Sequence, residues 1–448
     1  MRRCFLAFVL LLAPSGPAIP AAQTRADFIP LVYTAAKAFD PLAWLHGADR
    51  FPSGAQLFVR DSSGERSLIP HFAASADPSL SFDGNKILFS GKAHPGDPWQ
   101  IWEFDLAEGD PRRITSFPED CIRPFYLPDD RVVYARKMAG RFVIQTQEIS
   151  GHKTLDLTYT AANALPTDVL RDGRILFESS YPLSTGATSE IYTVYSDGSG
   201  VESYRCDHGV DRYSGRQQIS GNTVFATSRG LAMFIPARAR QVSIPTPPGE
   251  YAGDAAEIAS GDWLLAWRPD TKAVYRVMRW TLGASELKPV TSQPDSNTLQ
   301  PVVLAARATP NRHPSGLHDW ANANLLCLNA YTSKFSFAAG SIHSVRLYTR
   351  DDSGHPKLLG AAPVERDGSF FVQVPGEQPL QFELLDGSDK TLKREAGYFW
   401  MRRGEQRVCV GCHAGPETAP ENAVPEILLK STSPADLTGT VAQSAGGH

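Results

Sequence analysis

Cysteine is scarce in this chain, with six in 448 residues. That excludes a disulfide-built scaffold, which needs many cysteines in a short chain. Long apolar runs are missing after the first residues, so no later stretch can span a bilayer as a helix, which takes ~20 apolar residues. A surplus of basic charge is missing too, since the formal net charge is −4. Nothing electrostatic therefore points to nucleic acid. No Ser-His-Asp arrangement, phosphate-binding loop or glycosidase-like carboxylate pair stands out. Glycine and proline are plentiful, at 36 and 34 residues, as in turn-rich all-β proteins.

The first residues read as an address. Arg2 and Arg3 precede the apolar run CFLAFVLLLA, followed by Pro14, Gly16, Pro17, Ala21 and Ala22. A short basic segment, an apolar stretch and small residues make a secretory signal, here 1–22 with cleavage near Ala22. The alternative is a buried N-terminal helix. The expectation is an exported, periplasmic protein without a transmembrane segment in its mature form. Cys4 would leave with the signal. Five cysteines then remain: Cys121, Cys206, Cys327, Cys409 and Cys412. An odd number cannot all pair with one another.

The middle of the chain repeats. DPSLSFDGNKILFS is followed by WQIWEFDLAEGDPRRITS, then CIRPFYLPDDRVVYAR and RFVIQTQEISGHKTL, then ALPTDVLRDGRILFESS and SEIYTVYSDGSGVESY. Weaker copies are RQQISGNTVFATS and EIASGDWLLAWRPD. Turn signals fall at Asp83, Asp129, Asp172, Ser220 and Ser260, the period of a propeller blade of ~40–45 residues. One blade cannot bury both of its faces, so blades stack around an axis. FIPLVYTA and AQLFVRDSSGERSLI read as an incomplete first blade, and TLQPVVLAAR supplies its missing strand. The count is six blades over 26–308, with seven as the alternative. The S-x-D-G-x-x-I-x-F and I-W-x-x-D-L stretches resemble TolB-type propellers.

After ATPNRHPSG the rhythm changes. GSIHSVRLYTR, KLLGAAPVERDGSFFVQVP and PLQFELLDGSDKTL alternate with period two around Gly-Asp turns. They predict a small β-sandwich over 309–397. A segment over 398–424 follows, and a polar tail over 425–448 is expected to be disordered. The fold class is all-β.

Within 398–424 lies Cys409-Val410-Gly411-Cys412-His413. Two thiols three apart can add to the two vinyl groups of one haem, and the adjacent His then reaches the iron. Export agrees with this reading, because c-type haem is attached after export. Two alternatives stand beside it. One is structural zinc, with Cys327 and His318 or His313 completing the ligand set. The other is a Cys409–Cys412 disulfide. For haem, a second iron ligand is sought. After His413 there is no Met and no Tyr, and the single His is His448. Met401 lies awkwardly close upstream. His313, His318, His343 or a propeller loop are the other sources; without one, the iron keeps an open position.

The V-E-x-D-G-S-F stretch at Val364–Phe370 and the G-E-x-x-x-C-V-G-C-H stretch at Gly404–His413 resemble the middle domain of the hydrazine synthase alpha subunit family. The resemblance runs over residues 298–424. It implies one haem c attached at Cys409 and Cys412, seated between sandwich and propeller, with His413 as the default axial ligand. In the family's enzyme a tyrosine just after the motif binds iron. Here Glu417 stands in that neighbourhood and no tyrosine follows Tyr398, so hydrazine synthesis itself is not implied.

Other residues carry bland and sharp readings side by side. Arg402, Arg403 and Arg407 are propionate partners or charged surface. Cys327 is a buried small apolar residue or a ligand of a second metal. Cys206, with Asp207 and His208, sits in a polar loop that faces the haem or merely solvent. Cys121 opens a strand, and a Cys121–Cys206 disulfide is left open. The overall expectation is an exported monohaem protein with a redox role, in electron transfer or in chemistry on a small nitrogen or oxygen species. Its partner would be a redox protein or a small-molecule substrate. The alternative is a propeller binding module with structural or sensory haem, or with zinc at the motif.

Overall fold

The computed structural model describes residues 28–183, 186–204, 211–236, 240–351, 353–395, 397–411 and 423–439. The signal segment, Cys206 with Asp207 and His208, and Cys412, His413 and Glu417 lie outside them. No helix among the described residues is long and apolar enough to cross a membrane.

Six antiparallel sheets follow one another from Leu31 to Val303. Each packs on the next, and the sixth packs on the first, giving a closed propeller. The first sheet is completed from both ends of this region. Strand Asn297–Val303 pairs antiparallel with Leu31–Ala36, with Leu299 opposite Thr34. TLQPVVLAAR thus closes the ring as its sequence predicts. In the second, third and fourth blades the inner strands, Ala74–Leu80, Cys121–Tyr126 and Ala164–Val169, are buried along their whole length, because each lies between neighbouring blades and the axis. This explains why they lack the clean alternation of a half-exposed strand.

The inner strands share a device. Asp77, Arg123, Ser214, Asp254 and Gln300 adopt positive φ of 58, 58, 53, 52 and 54°. In four blades the strand register shifts at this residue: between Ala76 and Ser79, between Ile122 and Phe125, between Tyr213 and Arg216, and at Gln300 opposite Val32/Thr34. Each such residue is the extra one of a β-bulge, and three are followed by proline, which donates no ladder hydrogen bond. Their side chains meet in a buried polar network. Arg50 donates to both carboxylate oxygens of Asp77 at 2.8 Å, and Gln300 donates to Asp77 at 2.6 Å. Arg123 bridges to Asp254 at 3.0 Å, and Arg216 reaches the same carboxylate at 3.0 Å.

Residues 37–55 plug one end of this axis. Trp44, Leu45 and Phe51 pack against Ala76, Ile122, Leu165 and Leu299, all near the starting ends of inner strands. Asn163 holds the plug through Leu45 O at 3.1 Å, and Asp49 accepts from the Trp99 indole at 2.8 Å. No repeat pattern signals this segment.

Beyond Val303 two four-stranded sheets face each other as a sandwich. Their alternating burial, as in Asn322–Cys327 and Ser344–Arg350, sends one face of each sheet inward. Leu325, Val345, Leu347, Val372, Leu384 and Met401 form the core. Met401 is fully buried in that core, packed among its apolar side chains.

Two boundaries differ from the sequence reading. The strand Gln406–Cys409 is not a segment appended after the sandwich. It is an edge strand of it, parallel to Asn322–Cys327. The tail is also ordered in part. Residues Glu426–Lys430 form a short helix, and Ala435–Asp436 pair with Val372–Gln373. Asp367 and Ser369 accept from the backbone N–H groups of Glu426 and Ile427, and Leu437 is buried at 2% exposure. One apolar anchor and two side-chain acceptors order a stretch whose composition reads as solvated. Residues 440–448 lie outside the described residues.

Candidate functional site

Trp400 joins the two halves of the chain. It is buried against Phe177 and Tyr159 of the propeller, and its indole donates to Gly198 O at 3.1 Å. Five residues on, Glu405 finishes the joint. Its carboxylate accepts from Arg402 N at 2.7 Å and from Gly200 N, across the interface, at 3.1 Å. It also pairs with Arg407 at 2.7 Å. A carboxylate this buried needs such partners to offset its lost hydration. Sequence reasoning passed over Glu405, although its place in the G-E-x-x-x-C stretch was the signal available.

Beside this joint lies a cleft of about 1480 Å³ between the fourth blade and the sandwich. Its walls mix aromatic side chains, Phe177, Tyr192, Phe382, Tyr398, Phe399 and Trp400 among them, with charged ones such as Asp172, Arg174, Glu202 and Glu395. That volume exceeds the ~300–1,000 Å³ usual for a small-molecule pocket, so a large flat cofactor is within its capacity.

Cys409 lines the cleft and is half-buried. Burial pushes its thiol above the ordinary value. The Arg407 guanidinium pulls against this, and the Glu202 and Glu405 carboxylates add to it. The group is therefore a protonated thiol at neutral pH. Its carbonyl accepts from Leu328 N at 2.9 Å. Gly411, between the two motif cysteines, passes so close to the Asn329–Thr332 turn that a Cβ would stand 2.2 Å from Thr332 O. Only glycine fits there.

The other sequence candidates divide cleanly. Of the three histidines, His313 lines the cleft, stacked on Tyr195 with ring centroids 3.7 Å apart. His318 stacks instead on exposed Trp320, and His343 sits exposed beside Gly387; neither lines the cleft. Cys327 lines it together with Cys409. Cys121 lies in the propeller core without a disulfide, and burial pushes its thiol up to about 12.

The arginines are placed differently from the expectation. Arg402 is not a wall of the cleft. It pairs with Glu377 at 3.0 Å and lies over the Tyr159 ring, inside the joint. Arg403 is exposed and pairs with the same Glu377. Arg407 does line the cleft, but its guanidinium is already committed to Glu405. Lys334, Arg350 and Lys393 are further cations on the sandwich wall, and nothing local in the sequence marks them.

Residues 336–414 match the family model of the hydrazine synthase alpha subunit middle domain. The match runs through Cys409, Cys412 and His413. The likeness is confined to that stretch of the chain. Among solved structures, the hydrazine synthase of Kuenenia stuttgartiensis is similar over 90% of this chain and 71% of that one, with TM-score 0.75 and 16% identity. At this identity the likeness is one of fold, and it spans both the propeller and the sandwich of this chain. TolB from Acinetobacter baumannii covers 61% of this chain and 66% of its own, at 15% identity and TM-score 0.42. No curated protein matches the sequence.

Proposed function

We propose that this chain is an exported monohaem c-type protein with a redox role. Cys409 and Cys412 would hold the porphyrin through thioethers, and His413 would be an axial ligand. The observation that carries this reading is Cys409, the first thiol of the C-x-x-C-H motif, lining a large aromatic cleft between two packed domains. The donor chemistry fits: two thiols and an imidazole at the motif, flat aromatic walls, and a second imidazole at His313. Lys334, Arg350 and Lys393 fit carboxylates at the cleft better than Arg402, which is occupied elsewhere.

Bound haem supplies a reducible iron. The chain's own part is to exclude water and fix orientation. Trp400 and Glu405 lock sandwich to propeller, so the walls of the cleft do not drift. The stacked His313 and Tyr195 present an imidazole and a phenol on the propeller side. The role is electron transfer with a redox partner, or chemistry on a small nitrogen or oxygen species. Hydrazine synthesis forms no part of the proposal, because no tyrosine follows Tyr398.

The test is expression of the full chain in a host that matures c-type haem. A haem-stained denaturing gel should show covalent haem, lost in the Cys409→Ala, Cys412→Ala double variant. An unstained wild-type band would end this reading.

A second reading, structural zinc, draws on one observation. Cys327 lies in register with Cys409, so a third sulfur stands next to the motif. Among the described residues no three His, Cys, Asp or Glu side chains gather to hold a metal, and Cys412 and His413 lie outside them. Metal analysis of haem-free protein decides it: about one zinc per chain supports this alternative.

A further inference from the structure

Cys327 and Cys409 are direct partners in the parallel pairing of Asn322–Cys327 with Gln406–Cys409. In-register residues on neighbouring strands point to the same face, and both of these line the cleft. Neighbouring strands lie ~4.8 Å apart, inside the ~4.4–6.8 Å window of Cα separations that a disulfide spans. Both side chains also belong to one apolar cluster. The two strands differ in freedom. Asn322–Cys327 is held on both sides, whereas Gln406–Cys409 is an edge strand. The Cys409 backbone can therefore shift to meet disulfide geometry without breaking a second ladder.

We propose that Cys327 and Cys409 form a disulfide in the chain before cofactor attachment, and that this bond must be reduced before Cys409 can react. The second half rests on the haem reading; the first does not. Half-buried Cys409 is the sulfur an oxidant reaches first, and Cys327, at 3% exposure, resolves the mixed disulfide from alongside. Two S–H bonds break and one S–S bond forms. Two electrons and two protons pass to a dithiol-disulfide oxidant, whose own disulfide becomes two thiols. A dithiol reductant reverses the step. Thioether formation then adds the Cys409 S–H across a vinyl double bond with no net electron transfer. A disulfide sulfur has no S–H to add, so the pairing holds Cys409 out of the reaction.

The first arm exports the full chain in a host without haem-attachment machinery. Thiols are trapped with N-ethylmaleimide, and the digest is read by mass spectrometry. A peptide linked through Cys327 and Cys409 is expected, and it disappears in Cys327→Ser and in Cys327→Ala. Alkylation of both cysteines, or a Cys409–Cys412 link in their place, overturns the proposal. The second arm restores the machinery under limiting reductant. Haem per chain should rise about twofold or more in either variant, because the competing disulfide is gone. Equal loading overturns the gating role. A linked peptide in a wild-type chain that never takes haem supports the disulfide and ends the haem reading. Haem without a linked peptide does the reverse.

Discussion

Arg123 and Asp254 stand in the third and sixth blades, 131 positions apart, and their side chains meet at 3.0 Å on the propeller axis. Both are almost fully buried. The pair ties opposite sides of the ring together, and Arg216 shares the same carboxylate. Removing Arg123 leaves the buried Asp254 carboxylate with Arg216 as its one remaining arginine partner. Arg123→Ala should cost about 3 kcal/mol of propeller stability, read by urea denaturation. A loss under about 0.5 kcal/mol would mean that the axis is not a cross-brace.

The same network sets a pH dependence. Glu178 faces Arg123, Arg50 and Asp254 and accepts from Ser214 N at 2.8 Å; burial pushes its carboxyl from 4.5 up to about 7. The folded chain therefore holds a proton here that the unfolded chain releases. Between pH 4.5 and 7 this group lowers stability as pH rises, by about 3 kcal/mol at most. Glu178→Gln should flatten that decline and stabilise the chain at pH 8. Asp77 and Asp254 act with the opposite sign. Arginines hold their carboxyls below the ordinary 3.8, against burial, so the stability they bring is lost as pH falls through that range. Denaturation series at pH 5, 6, 7 and 8 measure the Glu178 share directly.

Glu405 should matter more than its lack of any obvious chemistry suggests. Glu405→Ala strips two backbone donors and Arg407 of their acceptor, at a cost of about 2–4 kcal/mol. Limited proteolysis should then cut between propeller and sandwich faster than in the wild type. Unchanged cleavage would show that Trp400 alone carries the joint.

Gly411→Ala places a methyl group against Thr332 O. Overpacking of this kind costs about 1–3 kcal/mol, so the sandwich should melt earlier by calorimetry. On the haem reading, the same variant should also carry less haem per chain on a stained gel.

His313→Ala separates two forms of the proposed site. If His313 is the second iron ligand, the reduced variant gains a carbon monoxide shift that the wild type lacks. A wild type that already shifts with carbon monoxide has an open or weakly held position, and His313 is then not a firm ligand.

Much of this architecture was legible in the sequence, for a local reason. The blade repeat, the strand that closes the first blade, the period-two sandwich and the cysteine motif are all written within short windows. What stayed hidden depends on residues far apart. Nothing near Cys327 announces that it will lie beside Cys409, because a parallel pairing leaves no turn between its strands. The plug at 37–55 carries its aromatic residues without any strand or helix period. The Arg402 side chain looked free beside the motif, and only packing revealed Glu377 as its partner. The ordered part of the tail depends on the burial of Leu437 and on acceptors some sixty positions upstream, Asp367 and Ser369.

The shared first sheet has a consequence for how the chain is built. Leu31–Ala36 emerges early, and its partner Asn297–Val303 is among the last propeller strands to be made. Until then the first blade has an unpaired edge, the kind of surface that invites pairing with a stranger. The ring cannot seal blade by blade, and its last gap closes late, by a contact of very long sequence separation. The sandwich and its cysteines follow that closure in the chain. The order of synthesis thus presents Cys409 to solvent only after the propeller has all of its strands.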